Sequence, residues 1–141
     1  MLEIRAARPS RRRATPEADI QRQIVIFLRA ALPLGSIVHH CANEAAGGGE
    51  AARKRQAILA GLGVHAGFSD LIVISAGRVL FLEVKSPAGS LSGPQAAFRD
   101  AVQAQGLPWA IVRSVDDVVA ALRVHGFKTR VRVWQNRVNG S

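Results

Sequence analysis

The chain has 141 residues, of which 48% are hydrophobic, and a net charge of +9 at pH 7. This length predicts one domain with a core of roughly 100 to 120 residues, and the apolar runs are far shorter than the ~20 residues that span a bilayer. The single cysteine excludes an internal disulfide, and the N-terminal charges are not followed by the apolar segment of a signal peptide. We therefore expect a soluble, cytoplasmic protein without a membrane partner.

The positive charge lies at the two ends of the chain. Residues 1–13 carry five arginines and one glutamate, residues 123–141 carry five basic side chains and no acid, and the residues between them are neutral as a group. Basic ends on a neutral centre favour a protein that binds a polyanion, and genome composition and solubility are the less favoured alternative explanation. We predict a disordered basic arm over 1–14, a domain over 15–125 and a basic tail over 126–141 that either adds an edge strand or is disordered.

The first predicted element is a helix that runs to about Leu32. Thr15 is a suitable N-cap, Pro16 occupies the first helical position, and acidic residues fill the first turn. The expected core stripe is Ile20, Ile24, Phe27 and Ala31, with Glu17, Gln21 and Leu28 on a neighbouring stripe.

A short strand over 36–41, a glycine-rich loop over 43–49 and a helix from Glu50 to about Leu62 are predicted next. We expect the helix to expose Arg53, Lys54 and Arg55 and to turn Ile58 and Leu59 inward.

Residues 70–85 predict a β-hairpin that brings charged groups together. If Ala76 and Gly77 form a two-residue loop, Asp70 lies directly opposite Glu83. Lys85 shares the face of Glu83, because side chains on a strand alternate. A three-residue turn would offset Asp70 by one position and would require a bulge.

The rest of the chain completes the order αβ(α)ββαβα. A helix is predicted from Gly93 to about Gln105, then a strand over 108–113 and a helix over 116–123. Both faces of the hairpin are apolar, and a sheet buried on both sides needs helices on both sides. We therefore expect an α/β fold with a mixed central β-sheet flanked by helices on both faces.

The paired carboxylates predict a divalent-metal site. Facing residues have β-carbons about 5 Å apart, so the pKa of one carboxyl should rise unless a cation lies between them. Asp70, Glu83 and the backbone carbonyl of Val84 supply the hard oxygen ligands that suit Mg²⁺ or Mn²⁺. Lys85 would orient the attacking water or stabilise developing negative charge. The competing interpretation is a plain ion pair between Glu83 and Lys85 at an exposed strand end.

These residues resemble the PD-(D/E)XK nuclease superfamily, and their setting is similar to its virus-type replication-repair nuclease (VRR-NUC) branch. The resemblance covers about residues 15–122. It consists of Glu17 with Ile20-Gln21, Asn43 before Gly47, Gly67-Phe-Ser-Asp70-Leu, Glu83-Val-Lys85, and Ser92-Gly-Pro94-Gln95. Ser69 and Ala42 stand where the family often has proline, and neither change removes a reactive group.

The resemblance implies a restriction-endonuclease-like core and metal-dependent hydrolysis of phosphodiester bonds in DNA. Asp70 and Glu83 would be metal ligands, Lys85 the catalytic lysine and Glu17 an outer carboxylate. Family enzymes include nucleases selective for flaps or junctions, and two copies of the chain would suit such branched DNA. The alternative is a nucleic-acid-binding module that keeps the fold without catalysis.

The remaining polar candidates surround this site. Gln21, one helical turn from Glu17, is a further catalytic candidate, with a surface pair as the alternative. Gln95 lies near a helix N-terminus, where it would hold a phosphate or cap the helix. The other expected nucleic-acid contacts are Asn43, Arg53, Lys54, Arg55, Arg130 and Arg132. A zinc site at His39, His40 and Cys41 is disfavoured, because neighbours on a strand point to opposite faces.

Overall fold

A computed structural model describes residues 15–42 and 49–130. Its helices are α1 (Pro16–Ala31), α2 (Glu50–Gly61), α3 (Gly93–Ala104) and α4 (Val115–Val124). Its strands are β1 (Ile37–His40), β2 (Leu71–Ser75), β3 (Arg78–Val84) and β4 (Trp109–Val112). Their order is the predicted one. The basic arm, Asn43 and the tail from residue 131 lie outside the described residues.

The four described strands form one mixed sheet in the order β1-β2-β3-β4. Strand β2 is antiparallel to both β1 and β3, and β4 runs parallel to β3. Parallel neighbours need a crossover, and α3 supplies it. The predicted α/β fold with a mixed central sheet is confirmed.

The hairpin has the predicted two-residue turn. Ala76 and Gly77 both adopt positive φ, at +49° and +76°, as a tight hairpin turn between twisted strands requires. The turn sets the register, in which Leu71 faces Leu82. The offset that a three-residue turn would cause is absent from this hairpin.

One face of the sheet carries the main core, beneath α1 and α4. Ile24 and Leu28 of α1 and Leu122 of α4 are fully buried against the sheet residues Leu71 and Leu82. The predicted stripe on α1 is therefore rotated slightly, since Leu28 is buried and Phe27 is only half-buried. Helix α1 begins at the predicted N-cap, where the Thr15 hydroxyl accepts from the amide of Ala18.

Helix α3 covers the other face of the sheet, on β3 and β4. Its Phe98 and Val102 pack with Trp109, and Phe98 also contacts Phe68 and Phe81 at ring-centroid distances of 4.6 and 5.7 Å. Helices therefore lie on both faces, as predicted.

Helix α2 is packed differently from the other three. None of its residues is buried, and it shares no packed interface with another helix or strand of the described chain. Leu59 is half-buried, but Ile58 is 63% exposed, so the prediction that Ile58 turns inward is wrong. The reason is that no other element lies near enough to cover it. No helix in the described ranges is long and apolar enough to cross a membrane.

Candidate functional site

The charged groups of the hairpin meet where β2 begins and β3 ends. Asp70 directly precedes β2, and its Oδ2 accepts a hydrogen bond of 2.8 Å from the backbone amide of Val84. This bond fixes the Asp70 carboxylate across from the end of β3. Lys85 follows β3, and its amide donates to the carbonyl of Val112 on β4, which fixes the strand on its other side.

Glu83 lies at the centre of this group and is 1% exposed. Its Oε1 accepts from the side-chain amide of Gln95 at 2.8 Å and lies 3.7 Å from Nζ of Lys85. Its Oε2 is buried without a hydrogen-bond partner among the described residues. The competing interpretation, an ion pair at an exposed strand end, is wrong because both side chains are buried.

The surroundings of Glu83 raise its pKa to about 8. Burial is the largest cause, followed by the negative charge of the nearby Asp70. Glu17 adds a smaller upward effect, and Lys85 opposes all of these. Without a cation, Glu83 therefore holds its proton at neutral pH.

The possible metal ligands at this site are few, and all of them are oxygen atoms. The described chain has no group of three or more His, Cys, Asp or Glu side chains arranged to hold a metal ion. Asp70 and Glu83 supply two carboxylates. The third predicted ligand, the backbone carbonyl of Val84, lies next to Glu83 on β3. Mg²⁺ typically takes one or two protein carboxylates and keeps several waters, so this set fits it and fits Mn²⁺.

The start of α1 brings Glu17 to the loop that follows β3. Oε1 of Glu17 accepts a long hydrogen bond of 3.4 Å from the amide of Ser86. Gln21, on the next turn, approaches the site indirectly. Its Nε2 lies 2.9 Å from Nδ1 of His40, which lies 3.0 Å from the carbonyl of Asp70. Nδ1 of His40 thus lies beside both groups and either accepts from Gln21 or donates to the carbonyl of Asp70, a position that the sequence did not indicate.

The loop before Asp70 lies directly on the first turn of α3. Gly67 has φ +73°, and a β-carbon there would be 2.1 Å from the carbonyl oxygen of Pro94. Glycine is required here because a β-carbon would collide with Pro94 and because other residues are strained at positive φ. This contact brings the start of α3 to the site. Gln95 has the predicted capping role, since it completes a capping box with Ser92, and it also binds Glu83, a contact that was not predicted.

Arg113 is a site residue that the sequence analysis missed. Its Nη1 donates to the carbonyl oxygens of Ser86 and Gly89, the latter at 2.7 Å. The guanidinium therefore holds the loop after Lys85. A sequence signal existed, because Arg113 follows β4 as Lys85 follows β3, and the ends of parallel strands meet at one edge of the sheet.

The predicted basic contacts are dispersed. Arg53 and Lys54 are exposed on α2. Arg130 is bound at the far end of α1, where its guanidinium donates to the carbonyl of Arg29 at 2.7 Å, so it does not reach the carboxylates. Asn43 and Arg132 lie outside the described residues.

A groove of about 1250 Å³ opens over the site. Helix α1 forms one wall and the inner side of α2 the other, and Asp70, Val84 and Gln95 lie along its base. Burial raises the pKa of the Cys41 thiol in this groove, and the Asp70 carboxylate raises it further.

Two solved structures match most of this chain. One, described as a VRR_NUC domain protein, is 18% identical and has a TM-score of 0.61 over 80% of this chain and 89% of its own. Another, described as a VRR_NUC domain, is 22% identical and has a TM-score of 0.54 over 81% of this chain and 100% of its own. Comparison with protein-family models and with curated proteins gives no match. The likeness shows that the chain has the VRR-NUC fold, as the sequence motifs predicted.

Proposed function

We propose that the protein is a divalent-metal-dependent nuclease that hydrolyses phosphodiester bonds in DNA. The observation that carries this proposal is the buried Oε2 of Glu83, which has no hydrogen-bond partner in the described chain, beside the carboxylate of Asp70. A buried anion is costly unless a cation or proton compensates it. Solved structures with the same fold are described as VRR_NUC domains, which agrees with this chemistry.

Asp70 and Glu83, with the carbonyl of Val84, would hold Mg²⁺ or Mn²⁺. When bound, such an ion polarises a phosphoryl oxygen and lowers the pKa of a water molecule. Neighbouring groups orient the two carboxylates for the ion. The amide of Val84 orients Asp70, and Gln95 orients Glu83 through Oε1, which leaves Oε2 for the cation.

Lys85 would act on the substrate. Its ammonium group is 3.7 Å from Glu83 and mostly buried, so its charge is screened little by water. Such a charge stabilises the negative charge that develops on a phosphate as it is attacked, or orients the attacking water. Glu17 lies farther out on the amide of Ser86, and we assign it an outer role in ordering water. Gln21 would position the imidazole of His40, which lies beside the backbone carbonyl of Asp70.

The test is a cleavage assay on labelled single-stranded, duplex, flap and junction DNA with Mg²⁺ or Mn²⁺. Wild-type protein should cut at least one substrate only when the divalent ion is present. Asp70→Asn and Lys85→Met should each reduce the rate by roughly 10²- to 10⁴-fold, the range for losing one electrostatic or proton-transfer group.

The matched control is Asp100→Asn, which removes one carboxylate on the exposed side of α3 and should leave the rate unchanged. Binding of DNA without cleavage under any divalent ion would reject the enzyme and support a non-catalytic binding module. Equal rates in Asp70→Asn and Asp100→Asn would reject the assigned site. The same panel shows whether flaps or junctions are preferred.

A further inference from the structure

The face of α1 that lines the groove combines arginine with exposed isoleucine. Arg22, Ile26 and Arg29 follow one another at spacings of four and three, so they lie in one row along the helix. Ile26 is 69% exposed between the two arginines. It belongs to neither of the described hydrophobic clusters, so packing of the described fold does not explain it.

The wall opposite this row is apolar as well. Leu59 on the inner side of α2 lines the groove together with Val64 and Phe68, all of them half-buried. Helices α1 and α2 do not pack against each other, so the apolar walls remain separate. The groove therefore offers two apolar surfaces with basic groups on one side.

The charges along the groove change sign. Glu17 and Asp70 lie at the end where α1 begins, beside Glu83. Within residues 15–42 and 49–130, Arg22 pairs only with the exposed Asp19, a surface pair of little strength, and no carboxylate pairs with Arg29. An anionic chain would be held at the arginine end and would meet the carboxylates once a cation neutralises them.

We propose that this groove binds a single DNA strand along α1 and leads it to the Asp70 and Glu83 site, an inference that rests on the proposed nuclease function. Arg22 and Arg29 bind phosphates of the strand, and bases lie between Ile26 and Leu59. The two arginines are about 10 Å apart along the helix axis. A stacked strand advances about 3.4 Å per nucleotide, so the row spans roughly three nucleotides.

The apolar walls of the groove favour a single strand over a duplex. In a duplex the base faces are stacked inside and only phosphates and groove edges are presented, so Ile26 and Leu59 would gain nothing from it. In a single strand the base faces are open to apolar contact, which is tolerant of sequence. The contact here is aliphatic, in keeping with a chain that has no tyrosine and two tryptophans.

The test is equilibrium binding of the full chain to fluorescent 12-nucleotide oligodeoxythymidylate and to a 12-base-pair duplex, measured by anisotropy in EDTA over a range of NaCl concentrations. Arg22→Ala with Arg29→Ala should weaken single-strand binding roughly 10- to 30-fold at 0.1 M salt and lower the salt slope by about 1.4. Ile26→Ser should weaken it by about three- to tenfold without changing the slope. Arg123→Ala, which removes an exposed charge on α4 outside the groove, is the control and should have a small effect.

Equal affinity for duplex and single strand, with Ile26→Ser binding like wild type, would overturn the proposal. So would an effect of Arg123→Ala as large as that of the two groove arginines together. These outcomes are independent of catalysis, since EDTA prevents cleavage. Single-strand binding with the expected variant effects, in a protein that cuts nothing with Mg²⁺ or Mn²⁺, would uphold this inference and reject the proposed nuclease instead.

Discussion

The end of the hairpin lies at the base of the groove and helix α2 forms one of its walls, and the two regions are built in opposite ways. At the hairpin end, Glu83 and Lys85 are buried and Asp70 is half-buried. The amide of Val84 holds Asp70, and Gln95 holds Glu83. In α2 the charged side chains are exposed, and no residue of the helix is buried. The reactive groups therefore lie on a packed scaffold, whereas no other helix or strand of the described chain packs on α2.

The largest difference between the hairpin end and α2 should appear in how glycine-to-alanine substitutions change stability. Gly67→Ala adds a methyl group 2.1 Å from the carbonyl of Pro94 at positive φ, so we expect the free energy of unfolding to fall by about 2 to 4 kcal/mol. Gly61→Ala, at the end of α2, meets open space and should improve helix propensity by up to about 1 kcal/mol.

Urea unfolding measures the first effect. Hydrogen exchange at the amides of α2 measures the second, because we expect a helix without buried residues to open locally. We expect Gly61→Ala to slow exchange in α2 and leave global unfolding unchanged. If Gly67→Ala were as stable as wild type, the close approach of the loop to α3 would be wrong.

Removing the Arg113 guanidinium should loosen the loop after Lys85. Arg113→Met leaves the carbonyls of Ser86 and Gly89 without their shared donor, and a misplaced loop should reduce kcat by roughly 10- to 100-fold with little change in KM. Arg113→Lys should recover only part of the activity, because one ammonium group does not reproduce the planar guanidinium. Arg123→Met is the control, and an equal loss there would reject a positioning role for Arg113.

Stability should depend on pH through Glu83. The folded protein holds a proton on this carboxyl up to about pH 8, whereas the unfolded chain releases it near its ordinary value of 4.5. Unfolding between these values therefore releases a proton, and the free energy of unfolding must fall as pH rises from about 4.5 to about 8 and level off above that.

Thermal unfolding in EDTA between pH 5 and 9 checks this dependence. Wild type should lose stability relative to Glu83→Gln as the pH rises, because glutamine has no proton to release. Saturating Mn²⁺ should reduce the loss in wild type, since the cation replaces the proton. Parallel curves for the two proteins in EDTA would show that the burial of Glu83 does not act in this way.

The smallest effect should come from two buried serine hydroxyls. Oγ of Ser69 has no hydrogen-bond partner among the described residues, so Ser69→Ala should raise the free energy of unfolding by about 1 kcal/mol. Ser75→Ala is the matched control and should lower it by a similar amount, because that hydroxyl bonds Ser36 at 2.7 Å. Chemical denaturation measures both, and a loss of stability in Ser69→Ala would contradict the account.

The sequence predicted the local structure well because local residues determine it. Thr15 and Pro16 start α1, and the Ala76-Gly77 turn sets the register that carries Asp70 toward Glu83. The contacts that complete the site depend on packing between distant elements. The bond from Gln95 to Glu83 requires α3 to lie on the Gly67 loop, which no local pattern states.

The dependence on packing between distant elements also explains the wrong prediction for Ile58 and the missed contact of His40. An isoleucine at helical spacing suggests a core position, but Ile58 is exposed because no element lies over α2. His40 was considered only as a zinc ligand, and its contact with Gln21 depends on how α1 crosses β1.

The central claim is that Asp70 and Glu83 share one divalent cation, and Mn²⁺ binding to the full chain tests it most directly. Free Mn²⁺ measured by electron paramagnetic resonance during titration at pH 7.5 should reveal a bound ion in wild type and in Asp100→Asn. The same ion should be lost, or bound at least about tenfold more weakly, in Asp70→Asn and in Glu83→Gln. Equal Mn²⁺ affinity in all four proteins would contradict the claim, because the ion would then bind elsewhere.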